Sequence, residues 1–448
     1  MRRTSAAFAA LLLLLGAQCQ TTADAPRRRA VTRTSIEDLE RRTFLWFWDT
    51  ANPHSYLVPD RWPTKSFSSI AAVGFGLTAY GIGAERGYVT REQARDRVLA
   101  TLRSLLAMPE GDQATGITRY RGFYYHFLDM ETGARYKDVE LSTIDTTWLL
   151  AGALFCQSYF DRDDPSEKAI RDAAEQMYER VEWDWAQPRP PGITMGWTPE
   201  HGFHTWDWHG YDEAMMLVIL ALGSPTHPVD PAAWTEYTGT YRWGTFYGQD
   251  HVLFAPLFGH QYSHMFVDFR GIQDAYMRAK GIDYFENSRR ATISQRAYAN
   301  DNPGQWKDYG GDIWGLTACD GPGDMTIDGR HYMGYSARGA TAGDIRDDGT
   351  IAPTAAASSI AFTPDISSAA IAAMQNYPGI YRQYGFADAF NPTLKWIDTD
   401  YLGIDQGPIV AMIENQRSGL VWETMKKNPH VVRGLKRAGF TGGWLDQR

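Results

Sequence analysis

The chain has 448 residues, 44% of them apolar and 22% charged, which suits one large globular domain or two ordinary ones and excludes a disordered chain. A net charge of -9 and an isoelectric point near 5.7 exclude nucleic acid and an anionic membrane surface as the main partner.

Residues 1–25 read as an export signal: Arg2 and Arg3, then an apolar stretch from Ala6 to Ala17 too short to span a membrane, then small residues. Cys19 follows that stretch in the manner of a lipoprotein signal, although Gln18 is a poor fit before an acylated Cys. Ala23-Asp24-Ala25 offers ordinary cleavage instead, with an unfavourable Pro26 behind it, and both readings stand open. Membrane contact is therefore expected only through an N-terminal lipid anchor, and the mature protein is expected in the periplasm as a monomer. Residues 26–34 form a short basic linker, and residues 35–448 a single helical domain. After Cys19 only Cys156 and Cys319 remain, too few for a disulfide framework or a Cys metal cluster.

Helical spacing recurs along the rest of the chain. Ser35 opens a helix through Leu39, Phe44, Leu45 and Trp48, with Ser as cap and acids in the first turn. Ser68 to Glu85, Thr90 to Met108, Glu140 to Phe160, Pro165 to Glu182 and Tyr211 to Leu222 follow. Further on come Gln261 to Lys280, Ser288 to Ala299, Ser367 to Gln375, Ile409 to Ser418 and Gly419 to Lys427. Strand patterns are scarce, the better ones being Ile117 to Arg121 and Gly122 to Leu128. The spacing predicts an all-α fold of helix pairs, with long loops at Trp183 to Gly210, Asn300 to Gly349 and Asn391 to Gly407. Loops of that length inside a domain usually carry function.

Three helix starts carry acids. Glu140 and Asp145 stand at the entry to the apolar run Trp148 to Leu154, where free N–H groups and the helix dipole favour a carboxylate. Ser142 and Asp145 also fit a capping box, which leaves Glu140 without a structural task. Asp212 and Glu213 end the aromatic stretch Trp206-Asp207-Trp208-His209-Gly210-Tyr211 before the apolar run Met215 to Leu222. Asp405 precedes Pro408 and the run Ile409 to Ile413. Any one of these alone reads as a cap; three of them would meet around one cleft.

Metal chemistry finds little support. His260 and His264 have zinc-pair spacing, but Gln261 replaces the Glu of a metalloprotease and no third ligand is evident, so a polar network or substrate contact is the better reading. Asp320, Asp324 and Asp328 hint at calcium without the ligand order of an EF-hand. Neither a nucleophile elbow, a Walker loop nor a dinucleotide fingerprint is present. The expectation is no metal and no cofactor.

The aromatic surplus, 16 Trp, 24 Tyr and 20 Phe, has two readings: core packing, or flat surfaces for the C–H faces of sugars. From Leu39 to Phe440 the chain resembles the glycoamylase-like domain family, which includes bacterial endo-β-1,2-glucanases and the transglycosylase domain of cyclic β-1,2-glucan synthases. The resemblance rests on Gly122 to Met130, Glu140 to Thr146, Tyr211 to Pro228, Phe258 to Gly271, Trp314 to Pro322, Asp347 to Ser359 and Gly403 to Asn415. It implies an (α/α)6 barrel with a cleft at one end, and acidic residues at Glu140, Glu213 and Asp405, with Asp129, Asp138 and Asp145 as further candidates. Two departures, Asp212 where relatives carry Asn and the stretch after Ser359, bear on the rim and the length of substrate bound.

Glycoside cleavage needs one carboxylic acid kept protonated and a second group that activates water or attacks directly. The assignment from sequence is Glu140 as general acid and Glu213 or Asp405 as base. His260, His264, Arg270 and Asp320 would position hydroxyls; Trp206, Trp208, Tyr262 and Trp314 would stack against rings. The expected function is depolymerisation of a β-1,2-glucan, with a transglycosylase or a glycan-binding protein as alternatives.

Overall fold

Two kinds of helix make up the protein, and their sequences say which is which. In the computed structural model, which describes residues 33–448, helix α2 (Ile70–Glu85) is buried all round from Ile70 to Gly83. The same holds for most of α4 (Thr143–Tyr159), all of α6 (Met215–Gly223) and α13 from Asp405 to Asn415 (Gly403–Arg417). Apolar side chains on every face leave no side for water, so these helices form the inner layer. Helices α3 (Arg91–Ala107) and α5 (Pro165–Glu179) bury one stripe each, Ala94, Val98, Leu102 and Leu105 in the first, Ile170, Ala173, Ala174 and Met177 in the second. They pack outside α2 and α4, while α1 (Arg33–Thr50) covers α2 and α13, and α15 (Pro429–Arg437) covers α6. The remaining helices are short apart from α10 (Tyr284–Asp301) and α12 (Pro364–Gln375). The expected leader and Cys19 lie outside the described residues.

Helices α2 and α4 approach each other closely. A Cβ on Gly74 would sit 2.1 Å from the Trp148 carbonyl oxygen, and one on Gly152 would sit 2.0 Å from that of Gly74. Only glycine allows backbone to touch backbone there. Gly152→Val is expected to cost at least about 3 kcal/mol by forcing the two helices apart. Urea unfolding measures it; a loss below about 1 kcal/mol would mean that the pair repacks freely.

Helices α2, α4 and α13 each grow directly out of a two-residue strand: Ser68–Ser69, Leu141–Ser142 and Tyr401–Leu402. Those strands pair with Phe127–Leu128, Gly196–Thr198 and Arg61–Trp62. Ser69 and Ser142 cap their helices by accepting from the N–H groups of Ala72 and Asp145. The pairing fixes where each inner helix starts, and with it the first-turn side chains.

The elements depart from expectation in specific places. The helix expected over Gln261 to Lys280 breaks into α8 (Tyr262–Phe266) and α9 (Ala275–Lys280), with Gly271 at φ 73° between them and Asp274 capping the second. Helix α13 starts at Gly403, six residues before Ile409, because Pro408 is accommodated inside the helix. The Ile404 carbonyl, left without the N–H that Pro408 lacks, accepts from the Tyr262 hydroxyl at 2.8 Å. Helices α7 (Ala232–Gly239), α11 (Pro353–Ala357) and α15 have no counterpart in the sequence reading. The strand expected over Gly122 to Leu128 is two short pieces, Phe123–Tyr124 and Phe127–Leu128, with different partners.

Candidate active site

A cavity of about 500 Å³ opens where the inner helices begin. Its wall takes Ser69 and Ala71 from the start of α2, Ser142 and Asp145 from α4, and Leu402 and Ile404 from α13. Glu213, two residues before α6, and Tyr262, the first residue of α8, complete the ring. Loops add Asp60, Arg61, His126, Glu140, His204, Trp208 and Tyr335.

Glu140, Asp145 and His126 form one unit. His126 Nδ1 is 2.7 Å from Glu140 Oε1, its Nε2 is 3.5 Å from Asp145 Oδ2, and its ring stacks on Phe127 at 3.9 Å. Ser142 Oγ donates to Asp145 Oδ2 at 2.5 Å and accepts from the Asp145 N–H at 3.1 Å. Ser142 therefore caps the helix, but the capping box is only half formed, since Asp145 bonds the Ser142 hydroxyl and not its backbone N–H; the same Asp145 faces the cavity. Burial works against a charge on His126, but Asp145 and the hydrogen bond to Glu140 outweigh it and raise the imidazole to about 9. Burial likewise opposes charge on Glu140, and the bond to His126 overcomes it, so its carboxyl lies below the ordinary 4.5. Near neutral pH this unit is an imidazolium beside an ionised glutamate.

Glu213 is poised the opposite way. Burial first, then the charges of Asp145 and Asp212, push its carboxyl up to about 8. Its backbone is pinned on both sides: Asp212 Oδ1 accepts from the Ala214 N–H at 2.8 Å, and Ser263 Oγ donates to the Glu213 carbonyl at 2.9 Å. Asp212 also accepts from the Tyr237 hydroxyl at 2.8 Å, which ties this helix start to α7. A carboxylic acid that keeps its proton at neutral pH thus shares a cavity with one that has lost it.

Aromatic rings supply the rest of the wall. Trp148 and Tyr262 meet edge to face at 5.7 Å, and Trp208 is fixed by its Nε1–H donating to Thr143 Oγ1 at 2.9 Å. Tyr335 contributes a ring that is 56% exposed. On the polar side Arg61 donates to Asp320 Oδ2 at 2.6 Å and to Asp60 Oδ2 at 3.2 Å, so Asp320 reaches the cavity through that guanidinium. Asp405 is 3% exposed, next to the lining residue Ile404, and its carboxyl faces that of Asp388. Burial raises its carboxyl to about 7.

Of the residues expected at the site, Glu140, Asp145, Glu213, Trp208 and Tyr262 line the cavity, and Asp405 and Asp320 adjoin it. The others lie elsewhere. Asp138 is exposed, and Asp129 closes a turn by accepting from the N–H groups of Glu131 and Thr132. His260 is wholly buried against the Phe254 carbonyl, 3.2 Å from Nε2. His264 hydrogen-bonds Ser288 Oγ at 3.0 Å among Phe269 and Phe362, where burial lowers it to about 3 and keeps it neutral. Both histidines are core residues held by protein partners. Arg270 pairs with Asp268 and lies over Trp422, at 4.4 Å from the ring centroid. Trp314 is fully buried, and Trp206 stands outside the lining at 69% exposure. Sequence reasoning passed over Asp60, Arg61, His126, His204 and Tyr335, which sit in loops and two-residue strands without periodicity.

The family model Glycoamylase, described as "Putative glucoamylase", matches residues 205–429. An exo β-1,2-glucooligosaccharide sophorohydrolase (non-reducing end) of Parabacteroides distasonis is 30% identical over 439 residues. The match takes in 90% of this chain and 57% of that protein, so the chain spans little more than half of that relative's length. Among solved structures, the endo-β-1,2-glucanase from Chitinophaga pinensis, in complex with sophorotriose and glucose, is 31% identical with a TM-score of 0.81, covering 92% of this chain and 99% of its own. An endo-β-1,2-glucanase variant from Talaromyces funiculosus, bound to β-1,2-glucan, shares the fold alone: 12% identity, TM-score 0.64, 91% and 89% coverage.

Proposed function

The chain belongs to the glycoamylase-like family, and on that premise we propose that it is a glycoside hydrolase that depolymerises β-1,2-linked glucan. The observation that carries the reading is the opposite poise of Glu213 and Glu140 in one aromatic-walled cavity. Glu213 donates its proton to the bridging oxygen as the glycosidic bond breaks. Glu140, kept ionised by His126, takes the proton of the attacking water. This reverses the role first expected for Glu140, because its imidazolium partner removes the proton that a general acid must hold. Asp405 and the Asp60–Arg61–Asp320 chain border the same space and hold sugar hydroxyls. Trp208, Trp148, Tyr262 and Tyr335 offer apolar faces to neutral pyranose rings.

The names of the sophorohydrolase and the Chitinophaga pinensis glucanase supply the linkage. We further propose that the inner and outer helices close into an (α/α)6 barrel, in keeping with α2 lying against both α4 and α13. The enzyme acts as a monomer after export to the periplasm, anchored through Cys19 if that residue is acylated.

A panel of glucans tests the substrate. Chromatography of digests should show short β-1,2 oligosaccharides from linear β-1,2-glucan, with sophorose dominant if one end of the cavity is closed, and little release from β-1,3, β-1,4 or α-linked glucans. A bent chain fits a cavity that a straight ribbon would clash with, and clashes discriminate sharply. Comparable rates on a β-1,3 or β-1,4 glucan, or none on β-1,2-glucan, would overturn the assignment.

A further inference from the structure

Beside the cavity the described residues gather more carboxyl groups than their cations pair with. Asp320, Asp388 and Asp398 come from separate segments, yet one carboxylate oxygen from each lies within 4.8 Å of the other two. Asp388 is 2% exposed and Asp398 7%. Each has one oxygen engaged: Asp388 Oδ2 accepts from the Asp320 N–H at 2.7 Å, and Asp398 Oδ1 from the Asp400 N–H at 3.1 Å. The second oxygens, Asp388 Oδ1 and Asp398 Oδ2, accept from no N–H group. Asp405, outside the trio and 3% exposed, lies within hydrogen-bond reach of Asp388, so those two carboxyls face one another while Asp398 Oδ2 has no partner at all.

Among the described residues only Arg61 forms an ion pair with this group, and it is divided between Asp320 and Asp60. Arg338 approaches from behind but is committed to Asp348, with two bonds at 2.8 and 2.9 Å, and to the carbonyls of Cys319, Asp320, Met333 and Gly334. Buried carboxylates without N–H donors are costly, and several in one place call for a positive group that the described residues do not provide. The cluster offers oxygen alone, with neither imidazole nor thiolate, which suits a hard cation and not zinc.

We propose that Asp320, Asp388 and Asp398 form a binding site for one divalent cation of the calcium class. The ion satisfies the free oxygens of Asp388 and Asp398 and takes its third protein ligand from Asp320, with water completing its shell. It holds the Asp320 loop, the Asp388 segment and the Asp398 turn against the first turn of α13, and so braces the wall that carries Arg61 and Ile404. The sequence-based expectation of no metal rests on the few cysteines, the His260–His264 pair and the run Asp320, Asp324, Asp328. Asp324 and Asp328 are exposed, and the two decisive ligands lie far along the chain.

Metal analysis and thermal melting of the whole protein test this without any substrate, so the outcome is independent of the glucanase reading. Protein dialysed against metal-free buffer should retain close to one equivalent of calcium by elemental mass spectrometry. EGTA should strip it and lower the melting temperature by about 4 °C, and calcium chloride should restore it. Asp398→Asn should abolish that response. If this variant fails to fold, the metal content and the EGTA–calcium shift of the wild type decide alone. No bound metal, with melting indifferent to EGTA and calcium, would overturn the proposal in favour of carboxyls sharing protons; a response to zinc and not to calcium would overturn the ion class.

Discussion

Replacing Glu213 with Gln should lower turnover on β-1,2-glucan by about a hundredfold to ten-thousandfold, the range that a positioned proton donor supplies. Gln matches the neutral, protonated glutamic acid in size and polarity, so the cavity neither gains nor loses a buried charge. The melting temperature should stay within about 2 °C of wild type for that reason. The defect should also depend on the leaving group. An activated aryl glycoside, whose phenolate departs without a proton, should recover most of the lost rate, whereas the natural linkage should not. Full activity in the variant would remove Glu213 from the chemistry. A collapse in melting temperature would show that the residue serves the start of α6 and not the reaction.

Glu140→Gln should be nearly as damaging, at least about a hundredfold in turnover, because it removes the group that accepts the proton of water. Here a stability cost is expected. The His126 imidazolium loses its 2.7 Å partner, worth about 1 kcal/mol for a partly buried charged hydrogen bond. His126→Gln separates placement from charge. It leaves both carboxyls present but lets burial raise Glu140 from its lowered value, so the acid limb of the rate moves to higher pH while the plateau falls less than in Glu140→Gln. An unmoved acid limb would mean that His126 does not set the charge of Glu140.

The helical character and the acids at helix starts were legible because both follow from short-range rules. Burial on every side reads as continuous apolar sequence in Met215–Gly223, and a carboxylate in a first turn (Asp145, Asp405) or just before one (Glu140, Glu213) reads as a cap or a site. What decides the chemistry is long-range. His126 reaches Glu140 because Tyr125 pairs with Leu141 and the His126 N–H donates to the Glu140 carbonyl at 2.9 Å, and Arg61 enters because its strand pairs with Tyr401–Leu402. No local pattern marks either pairing. Chemistry-bearing residue types misled for the same reason: His260, His264, Trp314 and Arg270 resemble sugar ligands by type, yet their partners, Phe254, Ser288 and Asp268 among them, are structural. Glu140 and Glu213 are legible as acids near helix starts, whereas which of them holds a proton depends on a histidine outside those motifs.

The dependence of kcat/KM on pH, measured on linear β-1,2-glucan for the wild type and Glu213→Gln, tests the central claim most directly. The sign follows from the two carboxyls. Glu213 must be protonated, so the rate falls as pH rises through about 8; Glu140 must be ionised, so the rate falls only below the ordinary glutamate value of 4.5. The wild type should therefore give a bell with an alkaline limb near 8, and Glu213→Gln a residual rate that lacks that limb. An alkaline limb that persists unchanged in the variant would contradict the account, because the proton donor would then be another group.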